Sequence, residues 1–342
     1  MRYPPLLVTA SLLAASFAAA PASAEEGMWT FDGFPAAKMR AEYGWAPDQK
    51  WLDRVRNAAV RLTGGCSASF VSPSGLILTN HHCVATCIQN NSTAENDLLN
   101  KGFAAAARTD ERKCPGQQAE VVTSISDVTG EVKAAIGVNT GEALTKARDA
   151  RIAELEKAGC SDTATTRCQV VGLFGGGQYK LYKYRKFSDV RLVWAPEDRA
   201  ATFGGDPDNF NFPRWSLDFS LMRVYENGKP ARTPDYLRWR PEGPRAGDPV
   251  FVPGHPGSTS RLLTLEQLKF NRSVTFPQYI ARNSELRGRL IEWGKTGDEP
   301  KRIVQENLLG LENSLKVYRG LQSALLDDRL MDFKTTRERE LR

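Results

Sequence analysis

At 342 residues, 41% of them hydrophobic and spread along the chain, the protein can bury a sizeable core in one large domain or two smaller ones. Its 46 basic and 40 acidic residues leave a net charge of +6. They are scattered rather than clustered, which excludes the basic footprint of a nucleic-acid-binding protein.

The first 24 residues read as a secretory signal. Arg2 supplies positive charge, Leu6 to Ala20 an apolar stretch, and Ala22-Ser23-Ala24 a small-residue cleavage site. Cleavage after Ala24 predicts an exported, soluble mature chain, periplasmic or secreted. No later run reaches the roughly twenty apolar residues of a membrane span. Residues 25–60 form a lead-in segment with Met28, Trp29, Phe31 and Phe34 as apolar anchors. Its predicted helix runs from Ala46 through Val60, with Pro47 near the first turn and Trp51, Leu52 and Val55 on one face.

A strand pair follows: Ser67 to Val71, the turn Ser72-Pro73-Ser74-Gly75, then Leu76 to Thr79. A short helical turn is predicted over His81 to Ala85. Asn139 to Gly159 reads as a helix inserted between strands. Gln178 to Trp194 and Leu217 to Tyr225 read as strands, with Asn227-Gly228 as a hairpin turn, and Pro249 to Pro253 as a short strand. After about Leu262 turn signals thin out. Leu263 to Arg272, Pro277 to Trp293 and Arg302 to Arg342 read as helices. The chain stops inside the charged helix Lys334 to Arg342, which does not look like a finished domain.

All six cysteines, Cys66, Cys83, Cys87, Cys114, Cys160 and Cys168, follow the signal. An even number in an exported chain favours disulfides. Zinc held by Cys83 and Cys87 with His82 is the alternative, although the spacing matches no common structural pattern.

The chain has three histidines, His81, His82 and His255. His82 stands out because it ends an apolar hairpin and directly precedes Cys83. Chymotrypsin-like enzymes place at such a strand end the imidazole that takes a proton from a serine hydroxyl and returns it to the leaving amine. His81 reads as a locally packed neighbour, and His255, in Gly254-His255-Pro256-Gly257, as structural. A catalytic histidine needs a carboxylate to hold its tautomer. Asp218, opening the apolar run Asp218-Phe219-Ser220-Leu221-Met222, is preferred, with Asp206 and Asp208 in their Gly/Pro-rich setting as rivals.

The signal, Gly27-Met28-Trp29-Thr30-Phe31, Thr79-Asn80-His81-His82-Cys83 and Gly204-Gly205-Asp206-Pro207-Asp208-Asn209-Phe210 together resemble the bacterial dipeptidyl-peptidases of the chymotrypsin clan. The likeness is to the dipeptidyl-peptidase seven and eleven type, over essentially the whole mature chain. It implies a mainly β fold with α. A trypsin-like β-barrel over 25–262, one part of an incomplete double barrel, is followed over 263–342 by the beginning of an inserted helical cap domain. It implies His82 as general base and Asp218 as orienting acid of an enzyme that removes dipeptides from peptide N-termini without a cofactor. By motif, Asn209, Phe210 and Arg214, with Asn313 from the cap, fall where the family binds the free α-amino group; several members carry Trp where this chain has Phe210. The likeness pairs Cys66 with Cys83. Proximity then suggests Cys160 with Cys168, and the remainder is Cys87 with Cys114.

One departure is large. The family is about twice this length and carries its serine far downstream in a Gly-Asn-Ser-Gly-Ser-Pro type motif. Nothing here has that form, and Gly257-Ser258-Thr259-Ser260 is the nearest imitation. The expectation is a chain inactive alone, completed by a serine-bearing C-terminal half or a homodimer partner. The alternatives are a non-catalytic protein that binds peptide N-termini, or a trypsin-like endopeptidase using an unrecognised serine such as Ser258.

Overall fold

The computed structural model describes residues 28–93, 95–202, 213, 215–256 and 263–341. They fall into two compact units that divide between Ala46 and Pro47. The first unit holds the short helix α1 (Ala36–Tyr43), closed by Gly44 in the left-handed conformation. All else described below belongs to the second.

That unit begins with α2 (Gln49–Ala58). The helix is shorter than the sequence suggests at both ends. At its start, Oδ1 of Asp48 accepts the N–H of Trp51 at 2.8 Å, so the cap falls after Pro47. At its end, Val60 is drawn into β1 (Ala59–Leu62), which runs antiparallel to β2 (Ser67–Phe70), with Val60 opposite Ala68. β2 turns into β3 (Leu76–Thr79) through Ser72 to Gly75. Gly75 has φ +73°, and a Cβ there would lie 2.7 Å from the Val224 carbonyl oxygen, so glycine is required twice over.

Short α3 (Ala85–Asn90) and α4 (Leu98–Lys101) follow, then β4 (Phe103–Ala104), β5 (Arg112–Lys113) and the long β6 (Ala119–Asp127). Between β6 and β7 (Thr166–Leu173) the chain inserts α5 (Thr129–Ile136) and α6 (Gly141–Gly159). These helices pack Val128, Val132 and Leu155 against Val170 and Tyr179. β8 (Gln178–Phe187), β9 (Asp189–Ala195), the turn helix α7 (Asp198–Ala201), β10 (Ser220–Glu226) and β11 (Lys229–Pro230) complete the sheet.

The eleven strands form one antiparallel sheet, in the order β4-β9-β10-β3-β2-β1-β6-β8-β7, with β11 beside β10 and β5 beside β9. Among the described residues this path is open, with no pairing that closes its two ends. Val60, Leu62, Ile77, Leu192, Met222 and Val224 are fully buried in its main core. Each such side chain contributes roughly 1.5–3 kcal/mol by leaving water. β10 is also held sideways: Oε1 of the buried Glu111 accepts from Arg223 at 2.9 Å and Oε2 from the Tyr225 hydroxyl at 2.8 Å.

The expected strand at Pro249 to Pro253 is not a sheet strand, because prolines at both ends have no N–H for a ladder. Phe251 instead packs edge-on against Trp51, with ring centroids 5.2 Å apart.

The helical region departs from the sequence reading at two joints. α8 (Leu265–Phe270) passes through a π-helical turn, Asn271–Thr275, directly into α9 (Phe276–Gly294). Pro277 has no N–H to return to the preceding turn, and the helix widens there instead of stopping. The expected single helix from Arg302 is two: α10 (Asp298–Leu325) and α11 (Asp328–Leu341). Oδ1 of Asp327 takes the Arg329 N–H at 2.9 Å and caps the second. Tyr279 of α9 stacks on Tyr318 of α10 at 3.9 Å. Among the described residues, no helix is long and apolar enough to cross a membrane.

Candidate active site

The sheet register builds the site. Ser220 of β10 faces Thr79 of β3, and the two strands are antiparallel. Carrying that register two residues beyond both strand ends sets Asp218 beside His81 and His82. Asp218 thus lies just ahead of its strand, whereas the sequence reading put it inside one.

Nδ1 of His82 is 2.9 Å from Oδ2 of Asp218 and 3.2 Å from Oδ1. The same carboxylate accepts the backbone N–H of His82 on Oδ1 at 3.1 Å and Nδ2 of Asn80 on Oδ2 at 3.1 Å. The carboxylate is almost fully covered, 7% exposed, while the imidazole is 60% exposed. A desolvated carboxylate that receives several N–H groups remains an acceptor. It therefore keeps the His82 proton on Nδ1 and leaves Nε2 as the basic nitrogen. The geometry can accept a proton at Nε2 and stabilise the imidazolium that results.

Asn80 is the residue that sequence reasoning passed over. It was visible in Thr79-Asn80-His81-His82-Cys83, but the two hydrogen bonds it donates to the Asp218 carboxylate and carbonyl exist only once β3 and β10 pair.

Three disulfides are present: Cys66–Cys83, Cys87–Cys114 and Cys160–Cys168. The first ties the residue after His82 to the start of β2. The second anchors α3, two residues beyond Ala85, to the end of β5. Sγ of Cys66 and Cys83 do cluster with a ring nitrogen of His82. The two sulfurs are bonded to each other, however, and offer no thiolates to zinc.

His81 is 2% exposed and points away from solvent, its Nε2 buried without a hydrogen-bond partner among the described residues. Burial pushes its pKa below the usual histidine value, against the opposing charges of Asp198 and Asp218 and a hydrogen bond to the Pro196 backbone. The His255 ring is tilted 56° to that of Tyr184 at a centroid distance of 6.3 Å, and the His255 backbone N–H donates to Oγ of Ser67 at 2.7 Å. Burial, with the nearby Arg61 charge, lowers its pKa to about 4. Asn313 lies half-buried on α10. Asp206, Asp208, Asn209, Phe210, Arg214 and Ser258 lie outside the described residues.

The sequence matches the model of the family described as Peptidase S46 over residues 24–342. It is 33% identical over 337 residues to the Asp/Glu-specific dipeptidyl-peptidase of Shewanella putrefaciens, covering 93% of this chain and 45% of the relative. It is 30% identical over 347 residues to dipeptidyl-peptidase 7 of Phocaeicola vulgatus, covering 93% and 47%. The chain thus spans about half the length of the curated relatives it matches. Its fold is similar to a crystal structure of Porphyromonas endodontalis DPP11, with TM-score 0.72 and 26% identity over 92% of this chain and 49% of that one.

Proposed function

The chain belongs to the Peptidase S46 family, and on that premise we propose that it supplies the proton-handling part of an exported, serine-type dipeptidyl-peptidase. Nε2 of His82 takes the proton from a serine hydroxyl as that oxygen attacks the scissile carbonyl, then gives it to the departing amine. Asp218 orients the ring and stabilises its charged form. The serine comes from outside these 342 residues. In the same reading, the sheet is the first part of a trypsin-like double barrel and the helices from residue 263 onward belong to its cap. Asn209, Phe210, Arg214 and Asn313 receive the free α-amino group of a peptide, the asparagine oxygens as acceptors and Phe210 as a ring face.

The observation that carries the reading is the 2.9 Å contact between the exposed His82 ring and the covered Asp218 carboxylate. The names of the relatives supply the reaction class, and three disulfides agree with export after cleavage at Ala24.

The test is dipeptide release from dipeptidyl amides by residues 25–342, alone and mixed with the second half of a full-length relative. Turnover is expected only in the mixture and is lost in His82→Ala. Turnover by the chain alone that His82→Ala abolishes would place the nucleophile within these residues. A mixture indifferent to His82→Ala sinks the dyad itself.

A further inference from the structure

Two consecutive residues of one helix bond to the two short helices, α7 and α3, that adjoin Asp218 and His82. Nε2 of Gln305 on α10 donates to Oδ2 of Asp198 at 3.0 Å. The next residue, Glu306, accepts the hydroxyl of Thr86 on Oε1 at 2.5 Å. Consecutive helical residues point about 100° apart, so a single helix can reach two separate elements.

Each contact leads directly to the dyad. Asp198 opens α7, and in the same turn the carbonyl of Ala200 accepts the N–H of Leu217, the residue before Asp218, at 2.8 Å. Thr86 is in the first turn of α3, which the chain enters straight from His82-Cys83-Val84. Buried His81 hydrogen-bonds to the Pro196 backbone, two residues ahead of Asp198. The residue types suit the task. Glutamine gives an N–H to a carboxylate that glutamate would repel, and glutamate gives an acceptor to a hydroxyl.

We infer that Gln305 and Glu306 are positioning residues for the dyad, setting the separation of the turn bearing Asp218 from the turn bearing His82. The physical need is plain. The β3–β10 ladder ends at Thr79 and Ser220, and both reacting groups lie beyond it. Past the last ladder bond, the spacing on which proton transfer depends rests on the bonds from Asn80 and His82 to Asp218 and on contacts from outside the sheet. The inference rests on the reading of His82 as general base.

With three histidines, 15N-histidine labelling of residues 25–342 gives three ring spectra. In the unaltered chain the His82 Nδ1–H should be protected by Asp218. In the double variant Gln305→Ala/Glu306→Ala its solvent exchange should rise about tenfold, the scale of one or two lost hydrogen bonds, with the His255 ring signals unchanged. Glu306→Gln, which keeps an oxygen for Thr86, should retain protection. Equal protection in the double variant overturns the inference and leaves the dyad standing. An unprotected His82 Nδ1–H in the unaltered chain overturns the dyad reading and the inference with it. If the double variant also moves the His255 signals, Thr86→Val decides by breaking the Glu306 contact from the α3 side. Severalfold faster His82 exchange supports the inference, and unchanged exchange refutes it.

Discussion

Asn80 and Asp218 are joined twice: Nδ2 of Asn80 lies 3.1 Å from the Asp218 backbone carbonyl and 3.1 Å from its Oδ2. One amide group thus bonds both the main chain and the carboxylate of the residue that meets Nδ1 of His82. Oδ2 is also the oxygen nearest Nδ1 of His82, at 2.9 Å. The asparagine therefore helps decide where the imidazole proton sits.

Asn80→Ala should leave the fold intact and lower kcat for dipeptide release in the assembled enzyme by roughly tenfold, since it removes about 1–2 kcal/mol of bonding at the carboxylate. Asn80→Asp should be worse, because it sets a second negative charge beside Asp218. Equal rates for Asn80→Asp and the unaltered enzyme would show that the contact is idle.

Asp218→Asn should be the most damaging isosteric change. The amide presents a donor where His82 needs an acceptor, so the ring favours the tautomer with Nε2 protonated and cannot act as base. The expected loss in kcat is about 10⁴-fold, the scale of the equivalent change in a chymotrypsin-type triad. A loss below tenfold would point to one of the rival carboxylates, Asp206 or Asp208.

The Cys66–Cys83 bridge spans a sequence separation of 17 and closes the loop that contains β2, β3 and His82. Cys66→Ser/Cys83→Ser should cost on the order of 3 kcal/mol and lower the thermal midpoint by roughly 5 °C. Removing Cys160–Cys168, a separation of 8 at the α6–β7 joint, should cost less and leave the His82 ring signals in place. Calorimetry that ranks the two bridges the other way would contradict this.

His255 makes stability depend on pH. Its folded pKa is about 4, below the ordinary 6.5, so the unfolded chain binds the proton more readily. The His255 contribution is complete above pH 6.5 and is lost as pH falls from there towards 4, up to about 3 kcal/mol. His81, also shifted downward, acts in the same direction. Urea midpoints at pH 7 and 4.5 should fall less for His255→Gln than for the unaltered protein. Identical falls would mean that His255 is not buried neutral.

Much that was legible in the sequence was local. The β2–β3 hairpin declared itself through the turn residues Pro73 and Gly75 ahead of an apolar strand, and the Asn227-Gly228 turn through residues that accept positive φ, here 50° and 72°. α6 followed from composition and a terminal glycine. His82 was marked by position alone, between an apolar strand and a cysteine. β6 and β7 gave less warning, because their burial comes from strands far away in sequence: β6 pairs with both β1 and β8. The end of α2 was misread for the same reason. Val60 suits a helix face as well as a strand, and only its pairing with Ala68 settles which.

What the sequence determined by itself was the inventory: an imidazole at a strand end, an acidic residue ahead of an apolar run, and an even set of cysteines. The tertiary structure decided which of these meet. The β3–β10 register brings Asp218 and Asn80 to His82, turns the adjacent His81 inward instead, and lets Gln305 and Glu306, more than two hundred residues from His82, reach the turns on either side. The physical reason is that a side chain's chemistry is written in its type, whereas its exposure, tautomer and partners depend on backbone pairings that no local pattern specifies.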